Sequence, residues 1–427
     1  MTETLHLLHG EEAVGILAYD RRKDQITLSY EEAWQFGTGT FPVSLALPLA
    51  RKTHPDERVR PYLQGLLPDN PAVIEAWGKR FKVSPRNPFD IIKHVGEDCA
   101  GALLFVRPER RDLILAGELD RLTPLSDGNL ARRMDDLRAQ ARAIPVVIDG
   151  RFSLAGAQTK DALHWQDGRW HVPAGRIPST HILKPELEEF DEHALNEHFC
   201  LQLASRVGLP AAESRMLPVA GKNVLCVRRY DRIEDPRSQR VLRIHQEDTC
   251  QALGLYPHQK YQADGGPSAA GIVNLLERYA DDAAADIRSF VMALALNWVI
   301  AGTDAHSKNY SLLHGRDSIL RLAPLYDLAS YLPYQRDPLS TKVKLAMKLG
   351  GTYRLRRIDA THWRAWALEA GLAPDLVTSL VRTVVEKVAQ AVAATREALA
   401  ATHDCAFLET LAAAIDERAL HCAVLLP

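Results

Sequence analysis

The sequence predicts a mixed α/β protein with a β-rich N-terminal part and a helical C-terminal part, and three observations support this order. Between residues 1 and 108, apolar stretches of strand composition alternate with turns that contain Gly and Pro. From 109 to 240, strand patterns surround a loop of small residues. From 241 to 427, apolar residues recur mainly with helical spacing. The 427 residues are therefore expected to form three domains with boundaries near 108 and 240.

The N-terminal part is expected to open with a pair of strands. Ala13–Tyr19 and Gln25–Tyr30 have strand composition and are separated by the charged turn Asp20–Asp24. Loops punctuated by Gly and Pro follow. Ala72–Arg80 is then a helix candidate.

The middle part combines strands with two helices. Leu130–Ala143 is a helix candidate, and Ala194–Val207 has helical spacing that stops at Gly208, a typical C-terminal signal. The strand candidates are Val146–Ile148, Ala162–Trp165, Trp170–Val172, Thr180–Lys184 and Asn223–Tyr230.

The C-terminal part is expected to be a packed helical lobe. Its loop-rich section contains a predicted hairpin, Tyr310–Leu313 with Ser318–Leu322. The helix candidates are Ala269–Tyr279, Ile287–Ile300, His362–Ala370, Pro374–Thr402 and Phe407–Leu420.

Composition and charge describe an ordinary globular protein of the cytoplasm. Lys and Arg number 52 against 54 Asp and Glu, and this balance argues against a chain that acts mainly by coating nucleic acid. The six cysteines form no CxxC pair, which fits a reducing compartment. The N-terminus has neither a basic region nor a long apolar run, so we expect no signal peptide. The apolar run Phe290–Gly302 is too short to cross a bilayer.

The segment that follows this run carries the strongest chemical signal. Asp304 and Asn309 lie five positions apart in a polar loop, the spacing that separates the Asp and the Asn of the protein-kinase catalytic loop. A carboxylate can take the proton of an attacking hydroxyl, and an amide oxygen can bind Mg²⁺. Lys308 could contact the transferred phosphate. The alternative is that both residues only cap turns, as Asp and Asn often do.

Three further sequence features would supply the other groups that a kinase needs, which are a second metal ligand and residues that bind phosphate. Asp327 follows a strand-like run and could be a second Mg²⁺ ligand. Ser153–Lys160 contains small residues whose N–H groups could approach a phosphate, although it matches no standard phosphate-loop motif. Lys184 ends a strand, where it could reach the α- and β-phosphates of ATP. Each piece alone has a simpler reading as a turn or a solvated lysine, but their order along the chain is that of kinases.

With these motifs the sequence resembles the HipA family, the kinase toxins of bacterial HipBA toxin–antitoxin modules. The resemblance extends over nearly the whole chain. The matching stretches are Leu45–Leu49, Leu66–Asp69, Gly96–Leu103, Ser153–Lys160, HILKPE at 181–186, Asn196–Glu197, Val227–Arg232, His245–Gly254, GTDAHSKNY at 302–310 and PLYDLAS at 324–330.

The resemblance implies a bilobed, protein-kinase-like fold with ATP and Mg²⁺ as cofactors. Asp304 and Lys308 would be catalytic, and Asn309 and Asp327 would bind the metal. Ser153 would be autophosphorylated, which expels its loop and switches the kinase off in family members. The implied ATP-binding residues are Ala155, Gly156, Ala157, Gln158, Thr159, Lys160, Lys184, Arg228, Arg229, Tyr230, His306, Ser307, Asn309 and Tyr326.

The resemblance also implies partners. Family members bind HipB, a small DNA-binding antitoxin, and reach operator DNA mainly through it. Their protein substrates include aminoacyl-tRNA synthetases, whose phosphorylation halts translation and leads to growth arrest and persistence.

The sequence departs from the family pattern at two positions, and two alternatives to a kinase toxin stay open. Arg228 stands where the hinge commonly has Glu, and Thr159 adds a second hydroxyl to the loop. The first alternative is a small-molecule kinase with a related Asp–Asn loop. The second is a catalytically silent protein that acts through antitoxin and DNA.

Overall fold

The structure is a computed structural model, and the part of the chain that it describes has several gaps. The described residues are 2–141, 152–156, 158–186, 190–238, 240–316, 319–334, 342–403 and 405–426. The predicted strand Val146–Ile148 and the loop residue Ala157 lie outside these ranges. No helix within the described ranges combines the length and the apolarity that crossing a bilayer requires.

The strands are numbered in chain order. They are β1 (Thr2–His9), β2 (Glu12–Asp20), β3 (Gln25–Tyr30), β4 (Thr53–His54), β5 (Asp98–Cys99), β6 (Leu104–Val106), β7 (Arg121–Pro124), β8 (Phe152–Ser153), β9 (Asp161–Gln166), β10 (Arg169–Ala174), β11 (His181–Pro185), β12 (Ser214–Val219), β13 (Lys222–Arg228), β14 (Arg232–Glu234), β15 (Val241–Arg243), β16 (His245–Asp248), β17 (Ser311–His314), β18 (Leu320–Leu322), β19 (Lys344–Leu349) and β20 (Thr352–Arg354).

The helices are numbered in the same way. They are α1 (Glu32–Gln35), α2 (Asp56–Gly65), α3 (Pro71–Phe81), α4 (Pro88–Val95), α5 (Pro108–Leu115), α6 (Asp127–Ala141), α7 (His193–Arg206), α8 (Thr249–Ala252), α9 (Ala269–Tyr279), α10 (Ala283–Val299), α11 (Ala360–Glu369), α12 (Pro374–His403) and α13 (Ala406–Val424).

The first of two compact units is built around two sheets. It comprises Met1–Leu187, Leu217–Pro257 and Leu312–Ile319. One sheet has the strand order β4-β3-β2-β1-β6, and its apolar side chains form a core with those of α2 and α4. The other has the order β12-β13-β11-β9-β10-β7 and packs against α6. Strand β11 is therefore an interior strand, which explains the burial of residues along it.

The second unit is mainly helical. It comprises Glu188–Met216, His258–Ser311 and Leu320–Pro427. Helix α10 is apolar on most of its surface and lies at the centre, where it contacts α9, α12 and α13. Three fully buried tryptophans mark this core, and the rings of Trp298 and Trp363 lie 5.7 Å apart, edge to face. A central helix of this kind gives a rigid base for the loop that leaves its C-terminus.

Most elements expected from the sequence are present. Helix α9 has the predicted bounds, and the expected hairpin appears as β17 and β18. The expectation of a helical pattern from residue 241 onward is wrong in part, because β15, β16, β19 and β20 interrupt it. These strands are only three to six residues long, too short for a periodicity to be read. The three-domain division stays a prediction.

Candidate functional site

The loop with Asp304 begins at a tightly closed helix end. Ala301 has a positive φ of 52°, and the N–H of Gly302 donates to the carbonyl of Asn297 at 2.7 Å. This is a Schellman closure, in which Gly is usual at the position that Ala301 occupies. A Cβ on Gly302 would lie 2.0 Å from Asn297 Oδ1, so any larger residue would displace the buried side chain of Asn297. The helix end thus fixes where the polar loop starts.

Asp304 and Asn309 are held in one short turn. The amide Nδ2 of Asn309 donates to the carbonyl oxygen of Asp304 at 3.0 Å, and the N–H of His306 donates to the same oxygen at 2.7 Å. The side chain of Asp304 is 72% exposed, whereas Asn309 is nearly buried. The bond to Nδ2 leaves Asn309 Oδ1 as the atom that could bind a cation.

Asp327 occupies a strained backbone position. Its φ is +52°, in the left-handed region that non-glycine residues adopt at a cost in free energy and that is found often at functional sites. Leu325, two residues earlier, exchanges hydrogen bonds with Pro210 and Ala212. Ser330, three residues later, is held through both backbone polar groups by the buried side chain of Asn196. Attachment on both sides maintains this conformation.

The segments that carry Asn309 and Asp327 are bonded to each other. The hydroxyl of Tyr326 donates to the carbonyl of Lys308 at 2.6 Å and lies 2.6 Å from Ser311 Oγ. Because Tyr326 precedes Asp327 and Lys308 precedes Asn309, these bonds join the two segments that carry the candidate metal ligands into one cluster of the second unit.

The donor set of this cluster suits Mg²⁺ better than zinc. Among the described residues, no group of three or more His, Cys, Asp or Glu side chains is arranged to hold a metal ion. Mg²⁺ usually takes one or two protein oxygens, with water and substrate phosphates as its other ligands. A carboxylate and an amide oxygen, as in Asp327 and Asn309, fit this requirement.

In the first unit, the small-residue loop is docked on the segment that follows α2. Ser153 is fully buried and its hydroxyl donates to the carbonyl of Leu66 at 2.8 Å. Gly156 forms a parallel bridge with Pro68, and its carbonyl accepts from the N–H of Asp69 at 2.9 Å. The LLPD stretch, a family match without an assigned role in the sequence, thus holds the loop.

The loop is also closed on itself. Gly156 has φ of +112°, and a Cβ there would lie 2.6 Å from Lys160 Nζ. That ammonium group donates to the carbonyl of Ala155. Gln158 Nε2 donates to the carbonyl of Pro185 at 3.1 Å, which joins the loop to the end of β11. Thr159 is buried. Such a compact loop could accept a phosphate only on the backbone groups that it leaves accessible.

Lys184 is not a solvated lysine at a strand end. It lies on the interior strand β11, opposite Leu225 of β13, and only 4% of the residue is exposed. Burial of an ammonium group is costly unless charged or polar groups compensate it. It precedes Pro185, whose carbonyl accepts from Gln158 of the loop, and its role in binding a phosphate stays a prediction.

The stretch Arg228–Tyr230 uses its side chains within the protein. Arg229 is buried and donates to both carboxylate oxygens of Asp231, to Ser179 Oγ and to the carbonyl of Cys99. Arg228 is half-exposed and lies 3.7 Å from Glu234. The backbone of this stretch is therefore what could meet an adenine, and that role stays a prediction.

Tyr261 is a site residue that the sequence motifs did not reveal, whereas Glu247 and Asp248, which match the family, have structural roles outside the site. Tyr261 donates to a carboxylate oxygen of Asp304, and nothing in the spacing of the motifs points to it. Asp248 caps α8 in a capping box with Gln251, as an acidic residue at a helix start suggests. Glu247 instead accepts from the N–H of Leu45 and contacts His314, so it fastens the N-terminal segment.

Sequence similarity to known proteins extends over most of the chain. Residues 5–106 match the HipA N-terminal domain, and residues 152–393 match the HipA-like C-terminal domain. Y4mE of Sinorhizobium fredii, a protein named as a kinase, is 37% identical over 383 residues, which are 89% of each chain. The serine/threonine-protein kinase toxin HipA of Shewanella oneidensis is 30% identical over 409 residues, 92% of this chain and 89% of that protein.

A solved structure agrees with these sequence matches. The complex of Shewanella oneidensis HipA with HipB and operator DNA superposes with a TM-score of 0.84 at 26% identity, covering 99% of this chain and 98% of that one. The expected mixed α/β fold is confirmed by this similarity. Since domain matches, relatives and fold agree over almost the full length, the chain belongs to the HipA family.

Proposed function

We propose that the chain is an ATP- and Mg²⁺-dependent serine/threonine protein kinase that acts as the toxin of a HipBA-type module. The observation that carries the proposal is the turn in which Asn309 Nδ2 is bonded to the carbonyl of Asp304, joined through Tyr326 to the strained Asp327. This cluster combines an exposed carboxylate with two oxygen ligands, the parts that phosphoryl transfer needs.

In the proposed reaction, an acceptor hydroxyl attacks the γ-phosphorus of ATP. The new O–P bond forms as the bond to the β-phosphate oxygen breaks, and Asp304 orients the hydroxyl and takes its proton. Asn309 and Asp327 would hold Mg²⁺, which neutralises negative charge on the phosphates when bound. Lys184 and the loop Ala155–Lys160 would bind the phosphates, and Lys308 would contact the transferred group. Most of the rate acceleration would come from positioning and electrostatics.

Regulation is proposed to run through Ser153. Its hydroxyl is buried against Leu66 O, so it must leave this position before it can accept a phosphate. A phosphate carries roughly −1.5 to −2 charge at pH 7 and could not return to this fully buried place without a large desolvation penalty. The loop would then stay undocked, and its contacts with nucleotide would be lost.

The proposed biological setting follows the relatives. The HipA of Shewanella oneidensis is seen with HipB and operator DNA, and we propose a HipB-like antitoxin as the partner of this chain. The net charge of −2 supports DNA contact mainly through that partner. The proposed target is a cytoplasmic protein of translation, such as an aminoacyl-tRNA synthetase.

The test is transfer of radiolabelled phosphate from ATP to proteins of a bacterial lysate. The wild type should label a protein band when Mg²⁺ is present and lose this activity with a chelator. Asp304→Asn should lower labelling at least about 100-fold, a conservative value for a lost catalytic group. Asp375→Asn, which alters a carboxylate that is 89% exposed on α12, is the matched control and should be fully active. Equal labelling by wild type and Asp304→Asn would refute the assigned chemistry.

A further inference from the structure

The segment before α9 supports the loop that contains Asp304. The carbonyl of Lys260 accepts two hydrogen bonds from Ser307, from its N–H at 3.2 Å and from its Oγ at 2.9 Å. The ring of Tyr261 meets the ring of His306 edge to face, with centroids 5.0 Å apart. Lys260 and Tyr261 thus contact the middle of the loop, at Ser307 and His306.

The same segment is itself held in a fixed turn. The carbonyl of Tyr261 accepts from the N–H groups of Asp264 and Gly266 at 3.0 and 2.9 Å. A Cβ on Gly266 would lie 2.1 Å from the carbonyl oxygen of Gln259, so the turn closes tightly on a glycine. Because the turn is closed in this way, the Tyr261 side chain leaves from a well-defined point of the backbone.

The hydroxyl of Tyr261 donates to Oδ1 of Asp304. The carboxylate is otherwise largely surrounded by solvent, and its other oxygen, Oδ2, lies 4.0 Å from His306 Nε2, beyond hydrogen-bond distance. An exposed aspartate with no such bond would sample several rotamers. The tyrosine therefore fixes the plane of the carboxylate and distinguishes its two oxygens.

From these contacts we infer that Tyr261 is the positioning residue of Asp304. It occupies Oδ1 and so leaves Oδ2 as the oxygen that receives the proton of the acceptor hydroxyl. The inference rests on the proposed function, since it assigns a role in that reaction. Tyr261 contacts neither the hydroxyl nor the phosphate in this scheme, and it acts only through the orientation of the carboxylate.

The test compares Tyr261→Phe with Tyr261→Leu, by kcat and KM for ATP in the phosphate-transfer assay. Positioning by the hydroxyl predicts that both variants lose kcat about 10- to 100-fold, while KM for ATP changes less than about 3-fold. Packing of the ring alone predicts that Tyr261→Phe stays active and only Tyr261→Leu fails. Tyr279→Phe, an exposed tyrosine at the end of α9, is the matched control and should be unchanged.

The outcomes separate this inference from the proposed function. An active wild type with an equally active Tyr261→Phe would overturn the positioning role and leave the kinase assignment intact. A Tyr261→Phe variant whose KM for ATP rises in proportion to its loss of kcat/KM would also overturn it. A wild type that transfers no phosphate would overturn the proposed function itself. Thermal unfolding of each variant confirms that the comparison is made between folded proteins.

Discussion

Replacing Asn196 by alanine should destabilise the second unit and impair phosphate transfer together. Asn196 lies on α7, is fully buried and bonds both backbone polar groups of Ser330, at 2.8 Å to its carbonyl and 2.9 Å from its N–H. Ser330 is itself buried. The alanine variant would leave the carbonyl without this donor and the N–H with only the weak acceptor Cys200 Sγ, three residues after the strained Asp327.

The expected magnitude follows from the hydrogen bonds that these two groups lose. A buried donor or acceptor that loses its partner costs about 1–3 kcal/mol. For the N–H and the carbonyl of Ser330 together, we expect a loss of about 2–4 kcal/mol in the free energy of unfolding. This is less than the sum of two full penalties, because removing the buried Asn196 amide also removes its own desolvation cost. The same change should release Asp327 from its left-handed conformation, so kcat at saturating ATP and limiting Mg²⁺ should fall.

The assay is denaturant unfolding followed by kinetics over a range of Mg²⁺ concentrations. Gln202→Ala is the matched control, because Gln202 is an amide on the same helix whose bond to the carbonyl of Ser214 is long, at 3.5 Å. It should cost less than about 1 kcal/mol and leave the Mg²⁺ dependence unchanged. If Asn196→Ala unfolds within about 0.5 kcal/mol of this control, the tether is not what holds Asp327.

Two other predictions concern backbone fit and acid stability. Gly302→Ala should lower both activity and the unfolding temperature, because its Cβ would lie 2.0 Å from Asn297 Oδ1. Gly271→Ala on α9 is the control: its Cβ would meet no atom closer than 3.5 Å, so this variant should be neutral or stabilising. Equal behaviour of the two variants would contradict the close approach at Gly302. Burial raises the pKa of Asp231, but the neighbouring Arg229 and Arg232 outweigh it and lower that pKa from 3.8 to about 2. The contribution of ionised Asp231 to stability is therefore complete above about pH 4 and lost as the pH falls to about 2. Asp231→Asn should unfold more easily at pH 7, and its stability should depend less on acid pH in denaturant titrations. A variant with an unchanged pH profile would exclude this contribution of Asp231.

Local chemistry could be predicted from the sequence, since it depends on neighbours along the chain. The spacing of Asp304 and Asn309 was enough to predict that they lie close together, because the amide of Asn309 is bonded to the carbonyl of Asp304 within a single turn. The end of helix α7 just before Gly208 and the hairpin of β17 and β18 were predicted for the same reason. Patterns of a few residues specify contacts of a few residues.

Contacts between distant segments could not be predicted in this way. Ser153 bonds Leu66, and Asn196 bonds Ser330, across 87 and 134 positions of the chain. The burial of Lys184 likewise follows from the interior place of β11 in its sheet, which no local pattern reveals. The donor to Asp304 was missed because a single tyrosine among loop residues has no periodicity to mark it.

The central claim is that Asp304 is the catalytic aspartate of a kinase that phosphorylates its own Ser153. Mass spectrometry of the intact protein tests this claim. Wild type, Asp304→Asn and Ser153→Ala would be weighed before and after incubation with Mg²⁺ and ATP, and any added phosphate would be mapped. We expect one phosphate on Ser153 of the wild type and none on either variant. A wild type that starts unmodified and gains no phosphate, or an Asp304→Asn variant that gains as much as the wild type, would contradict it.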